Sequence, residues 1–141
     1  KVEMGKKLGK EKIYQLRRSW DLRPDPLDKQ SQFHPSNIDI YKDIPVENIP
    51  DTESLKDTFE RVTNYYDSKI IENLKNGNVL ISAHGNSIRA LCKYLFKLDK
   101  LQISNLEIPT GNPLLIEIDK NQNIKSCKYL DQDRAKDLVI F

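Results

Sequence analysis

The residues best suited to chemistry in this chain sit in one tripeptide, His84-Gly85-Asn86. It follows at once on the apolar run Val79-Leu80-Ile81 and the small residues Ser82-Ala83. An apolar run of that length bounded by turn residues reads as a buried strand, and the residues after Ser87 read as a helix. In open α/β sheets, ligands bind beyond the carboxyl ends of the strands. A helix that starts there offers backbone amides and the positive end of its dipole, which suits phosphate. Gly85 lets the backbone approach a ligand closely. His84 would carry an imidazole into the same space, and Asn86 an amide donor. The plainer alternative is that His84 only caps or fills the junction. A second candidate is the pair Arg17-Arg18. Guanidinium groups grip phosphate and carboxylate in a two-pronged way that lysine does not match, although adjacent basic residues are also common on surfaces. His34, in a proline-rich stretch, reads as an ordinary surface residue. Cys92 and Cys127 lack metal-ligand spacing and read as reduced thiols.

Several elements must position these groups. Residues 1–18 read as a helix broken at Gly9, with Leu8, Ile13 and Leu16 on one face. Residues 19–52 hold five prolines (Pro24, Pro26, Pro35, Pro45 and Pro50) and read as a long ordered loop. Leu55, Phe59, Val62, Tyr66, Ile70 and Leu74 recur every three or four residues, so 53–75 is predicted to be a helix. Asp51 or Thr52 would cap it, and Glu53 would be a first-turn carboxylate. Val79–Ala83 is the strand expected in a parallel sheet. Ser87–Leu98 is predicted to be helical with Ile88, Leu91 and Leu95 inward, and 99–105 to be a short helix. Leu114–Asp119 and Ile124–Leu130 read as a hairpin turning at Asn121-Gln122-Asn123. The last eleven residues are expected to be a short helix. This order points to an α/β fold in a single domain spanning 1–141.

Composition narrows the function classes. With 38% hydrophobic and 31% charged residues the chain reads as a globular domain. No apolar run reaches the roughly 18 residues of a bilayer span, and no secretory leader pattern opens the chain. There are 23 basic and 21 acidic residues, a formal charge of +2. That balance argues against nucleic acid or an anionic membrane as partner. The two unpaired cysteines fit a reducing, cytoplasmic compartment.

Three segments then carry a resemblance: Arg17-Arg18-Ser19, Glu53-Ser54-Leu55-Lys56-Asp57-Thr58 and Ala83-His84-Gly85-Asn86-Ser87-Ile88-Arg89. Ile108-Pro109-Thr110-Gly111 supports them. The chain resembles the cofactor-dependent phosphoglycerate mutases of the histidine phosphatase superfamily over essentially its whole length. The resemblance implies a mostly parallel sheet with helices on both faces. It implies interconversion of 2- and 3-phosphoglycerate, in glycolysis and gluconeogenesis, through a phosphorylated histidine primed by 2,3-bisphosphoglycerate, with no metal. By resemblance His84 is the transition-state stabiliser, Gly85 and Asn86 bind phosphate, and Arg17, Arg18 and Lys1 bind the substrate. A small phosphorylated carboxylic acid would be the partner, in a possible homo-oligomer.

The chain also departs from the family. It contains no Arg-His-Gly, the motif of the phosphorylated histidine, and its only histidines are His34 and His84. Leu16 stands where a tryptophan is usual, and the chain ends in Val139-Ile140-Phe141. Its only methionine is Met4, so either the sequence begins inside a longer chain or translation starts in an unusual place. The resemblance implies a C-terminal portion lacking its N-terminal segment, including the strand beside Val79–Ala83. Such a chain is expected to be inactive alone and marginally stable. The competing readings are a non-catalytic remnant that binds phosphorylated metabolites or a partner protein, and a general histidine phosphatase. An in-frame Arg-His-Gly segment in the coding DNA upstream of Lys1 would favour the mutase, and a stop codon the remnant.

Overall fold

The computed structural model describes residues 2–135. The chain divides into two compact units, Lys1–Leu55 and Lys56–Phe141, taken here in turn.

In the first unit, helix α1 covers Val2–Arg18 and breaks at Gly9, whose φ of 78° and ψ of 157° leave the helical region. A side chain would strain that conformation, so the predicted break falls on the one residue type that accommodates it. The helix ends with Arg17 and Arg18 in its last turn, where cations complement the negative end of the dipole. The proline-rich stretch is an ordered loop with three 3-10 turns at Pro35–Asn37, Asp39–Tyr41 and Val46–Asn48. It closes on itself through hydrogen bonds. The Leu27 amide donates to the Asp51 carbonyl at 2.9 Å, and Thr52 Oγ1 donates to the Pro24 carbonyl at 2.6 Å.

His34 corrects its surface assignment, for it is wholly buried. Its Nδ1 accepts the Ser36 amide at 3.2 Å, which caps the first 3-10 turn, and lies 2.6 Å from Ser36 Oγ. An Nδ1 that accepts places the ring proton on Nε2, which donates to the Asp51 carboxylate at 3.1 Å. The imidazole therefore ties the middle of the loop to its end. This also explains why neither Asp51 nor Thr52 serves as the expected helix cap: both side chains are committed within the loop, and the next helix starts later, at Leu55. Glu53 consequently precedes that helix instead of lying in its first turn.

Helix α2, Leu55–Tyr65, carries the chain into the second unit and continues through a π turn, Tyr66–Ile70, into α3, Ile71–Asn76. The predicted face is the one that packs: Leu55 and Tyr66 are buried, and Phe59, Val62, Ile70 and Leu74 are half-buried. Helix α4, Gly85–Phe96, meets this face through Tyr94. The Tyr94 ring lies edge-on to Phe59 at 6.1 Å and to Tyr66 at 5.9 Å between centroids, a geometry favoured by the ring quadrupoles. Its hydroxyl donates to the Asp67 carboxylate at 2.9 Å. That bond, followed by burial, raises the Tyr94 pKa.

Helix α5, Lys100–Asn105, opens on a capping box between Asp99 and Gln102. Strands β1, Leu114–Ile118, and β2, Ile124–Tyr129, form the predicted hairpin, with Leu114 opposite Tyr129 and a register irregularity between Glu117 and Ile118. Asp119 accepts the Asn121 and Asn123 amides in its turn. These bonds, Asn123 foremost, hold its carboxyl below the usual range. Tyr129, Ile103, Leu106 and Cys92 are the largest fully buried side chains of this unit.

One element differs from expectation. Among the described residues the sheet is the two-stranded antiparallel hairpin alone, and the stretch 78–84 joins no ladder. Leu80 is 92% exposed and Val79 half-buried, so the run is not a buried strand. A strand is made by its neighbours, and no described residues flank this one with a pairing edge. At the C-terminus, 131–135 form a bend and a turn; the rest of the helix expected over the last eleven residues lies outside the described residues. Among the described residues no helix is long and apolar enough to cross a membrane.

Candidate functional site

The best-built site is the N-terminus of α4. Its sequence dictates the local geometry. His84 is the N-cap in an extended conformation, φ −62° and ψ 145°. Its carbonyl accepts the Ile88 amide at 3.1 Å, the first bond of the helix. Its Nδ1 accepts the Asn86 amide at 3.3 Å. That cap satisfies one of the amides a helix start leaves open and keeps the imidazole against the helix end.

The cap has a chemical consequence. With Nδ1 engaged as an acceptor, the ring hydrogen resides on Nε2, and the outward nitrogen of the imidazole is a donor. His84 and Asn86 are exposed and Gly85 is half-buried. The backbone amides of Gly85 and Ser87 have no acceptor within the helix, because they belong to its first turn. A Cβ placed on Gly85 would meet open space, so the backbone there is accessible from outside. The first turn contains no acidic residue. An N-terminus of about half a positive charge, lined by donors and free of carboxylates, fits an oxyanion. His84 thus caps the helix through one ring nitrogen, and its other ring nitrogen is a donor.

Behind this turn lies a residue whose part was not read from the sequence. Arg89 is 7% exposed. Its Nη1 donates to Asn86 Oδ1 at 3.2 Å and its Nη2 to the Ile103 carbonyl at 2.6 Å. The spacing of three between Asn86 and Arg89 puts the two on one helix face, and that was the available signal.

Arg17 is exposed and Arg18 half-buried at the end of α1, in the first unit. Lys1 lies outside the described residues. Cys92 is a free thiol in the core of α4, and burial pushes its pKa up to about 12. Cys127 is also free, with a pKa raised by burial. Burial keeps the Cys92 thiol protonated at neutral pH, so it is no nucleophile there. Among the described residues no three histidine, cysteine or acidic side chains cluster as metal ligands would.

The profile of a family described as "Histidine phosphatase superfamily (branch 1)" matches residues 26–129. A protein of Pelagibacter ubique named "2,3-bisphosphoglycerate-dependent phosphoglycerate mutase" is 66% identical over 142 residues, covering 100% of this chain and 60% of the relative. Proteins of the same name from Hyphomonas neptunium and Hydrogenobaculum are 47% and 45% identical over 98% and 99% of the chain, and 57% of each relative is covered. The chain thus spans about three-fifths of the length of these curated relatives.

Proposed function

The chain belongs to the histidine phosphatase superfamily, and on that premise we propose that it is the part of a phosphoglycerate mutase that holds the phosphoryl group in flight. The reaction is the interconversion of 2- and 3-phosphoglycerate. The observation that carries the reading is the bond from the Asn86 amide to His84 Nδ1, because it makes Nε2 a donor at an exposed, carboxylate-free helix start.

The donor set fits a phosphorylated ligand. His84 Nε2–H, the amides of Gly85 and Ser87 and the Asn86 side-chain amide are all hydrogen-bond donors. 2,3-Bisphosphoglycerate supplies the phosphoryl group that primes the complete enzyme. During transfer, charge spreads over the equatorial oxygens, and catalysis is largely positioning and stabilisation of that charge. His84 meets the growing charge with a donor already oriented by its cap, at no cost of reorganisation. Asn86 and the two amides hold the same phosphate in place. Arg17, Arg18 and Lys1 are assigned to gripping substrate phosphate or carboxylate on residue type and resemblance. The proposal also keeps the parallel sheet: Val79–Ala83 is to pair with a strand from the part of the relatives that these residues do not match. Leu80, which is almost fully exposed, supports this. Assembly into a homo-oligomer and a cytoplasmic location accompany the same reading.

These 141 residues contain no Arg-His-Gly and so no phosphoryl-accepting histidine of that motif. Without a nucleophile, charge stabilisation alone forms no covalent intermediate. The isolated chain is expected to catalyse no exchange. In the protein made from its complete coding sequence, His84→Ala should lower kcat by about 10²–10³-fold with a small change in KM, as loss of one oxyanion donor does. A His84→Ala enzyme with wild-type kcat would overturn the assignment.

A further inference from the structure

Resting on the reading of Asn86 as a phosphate ligand, we propose that Arg89 is a positioning residue that fixes which end of the Asn86 amide meets the phosphate. The argument is one of donors and acceptors. A guanidinium has donors only, so the Asn86 atom 3.2 Å from Arg89 Nη1 must be the carbonyl oxygen. Turning the amide over would set its NH₂ group against the guanidinium donors, an unmade bond beside a buried cation. The oxygen is therefore held inward, and the two N–H donors of Nδ2 are left on the exposed side of the turn.

Arg89 is itself anchored. Its Nη2 donates at 2.6 Å to the carbonyl of Ile103, in α5, and Ile103 is fully buried. That carbonyl lies among the last four of α5, which have no acceptor role within their own helix. The guanidinium thus spans from α5 to the first turn of α4, and its two prongs fall on two different elements. A lysine at this position supplies one point charge and cannot make both bonds in the same fork. The arrangement leaves a phosphate site whose side chains all donate, and it excludes the amide rotamer that would offer an oxygen to an anion.

The test uses the protein made from its complete coding sequence and measures KM and kcat for 3-phosphoglycerate together with melting temperature. Asn86→Ala should raise KM about tenfold, the cost of one charge-assisted hydrogen bond. Arg89→Lys should raise KM severalfold in the presence of Asn86 and have no further effect on KM in the Asn86→Ala background. Arg89→Lys should lower the melting temperature in both backgrounds through the lost bond to Ile103, and by less in the Asn86→Ala background, where the bond to Asn86 is already absent. Asn86→Asp keeps an oxygen for Arg89, so it should fold as stably as wild type and yet raise KM beyond Asn86→Ala, because its second oxygen faces the phosphate. This variant keeps the test decisive should Arg89→Lys fail to fold. A KM effect of Arg89→Lys that is the same with and without Asn86 would overturn the positioning role. So would an unchanged KM in Arg89→Lys beside a raised one in Asn86→Ala. An unchanged KM in Asn86→Ala would instead overturn the phosphate assignment on which the proposal rests.

Discussion

Cys92 and Tyr129 lie buried in the second unit, and burial acts on both in the same direction. Desolvation first, and then the neighbouring Cys127, pushes the Cys92 thiol from an ordinary 9.0 up to about 12. Tyr129 is raised from 10.0 to about 12 by burial first and the two cysteines second. Each pKa is higher folded than unfolded, so each group stabilises the fold fully below its ordinary value and loses that contribution as pH rises towards 12. The melting temperature should therefore hold from pH 7 to about 9 and fall between about 9 and 12. At pH 8, Cys92 should react with a thiol reagent only on unfolding; native labelling as fast as in denaturant would contradict its burial. At this scale the start of α4 at His84-Gly85-Asn86 was legible, because the three are consecutive, although the buried strand expected just before them is not one among the described residues. Arg89 and His34 each have one partner near in sequence, Asn86 and Ser36, but what buries and anchors them is remote, fourteen residues away at Ile103 and seventeen at Asp51.

The helices and the hairpin could be read from periodicity, because each carries its own hydrogen bonds or pairs with its immediate neighbour. The π turn at Tyr66–Ile70 could not. It amounts to one residue inserted into an α-helix, and the apolar positions on either side keep the same face, so the pattern conceals the extra residue. A specific expectation follows. Deleting Ser68, which is exposed, should convert the turn to regular α-helix and leave Ile71 and Leu74 on the buried side. The change in stability should stay within about 1 kcal/mol, in the range of surface changes. Denaturant titration is the check, and a loss of several kcal/mol would show that the widened turn is needed for the Asp67–Tyr94 contact. The stretch 78–84 marks the opposite limit. Its apolar composition reads as a buried strand, which among the described residues it is not, because composition does not reveal whether a neighbouring strand is present.

On the scale of the whole molecule, the balance of burial decides what these residues can do alone. A Leu or Val left in solvent forgoes about 1.5–3 kcal/mol, against a total margin of about 5–15 kcal/mol for a domain. With Leu80 exposed and Val79 half-buried, the purified 141-residue chain should be aggregation-prone or melt below about 55 °C; a cooperative transition above that temperature would count against it. The same unpaired stretch has a practical corollary. On the proposal that a strand from the unmatched part of the relatives pairs with it, the protein lends itself to being expressed as two polypeptides. The two-fifths of the Pelagibacter relative that this chain does not match, co-expressed as a separate piece, should co-purify with it and bring back turnover that neither piece has by itself. The seam between the two would then be a ready place for an inducible tether, with enzyme output reporting whether the halves have met.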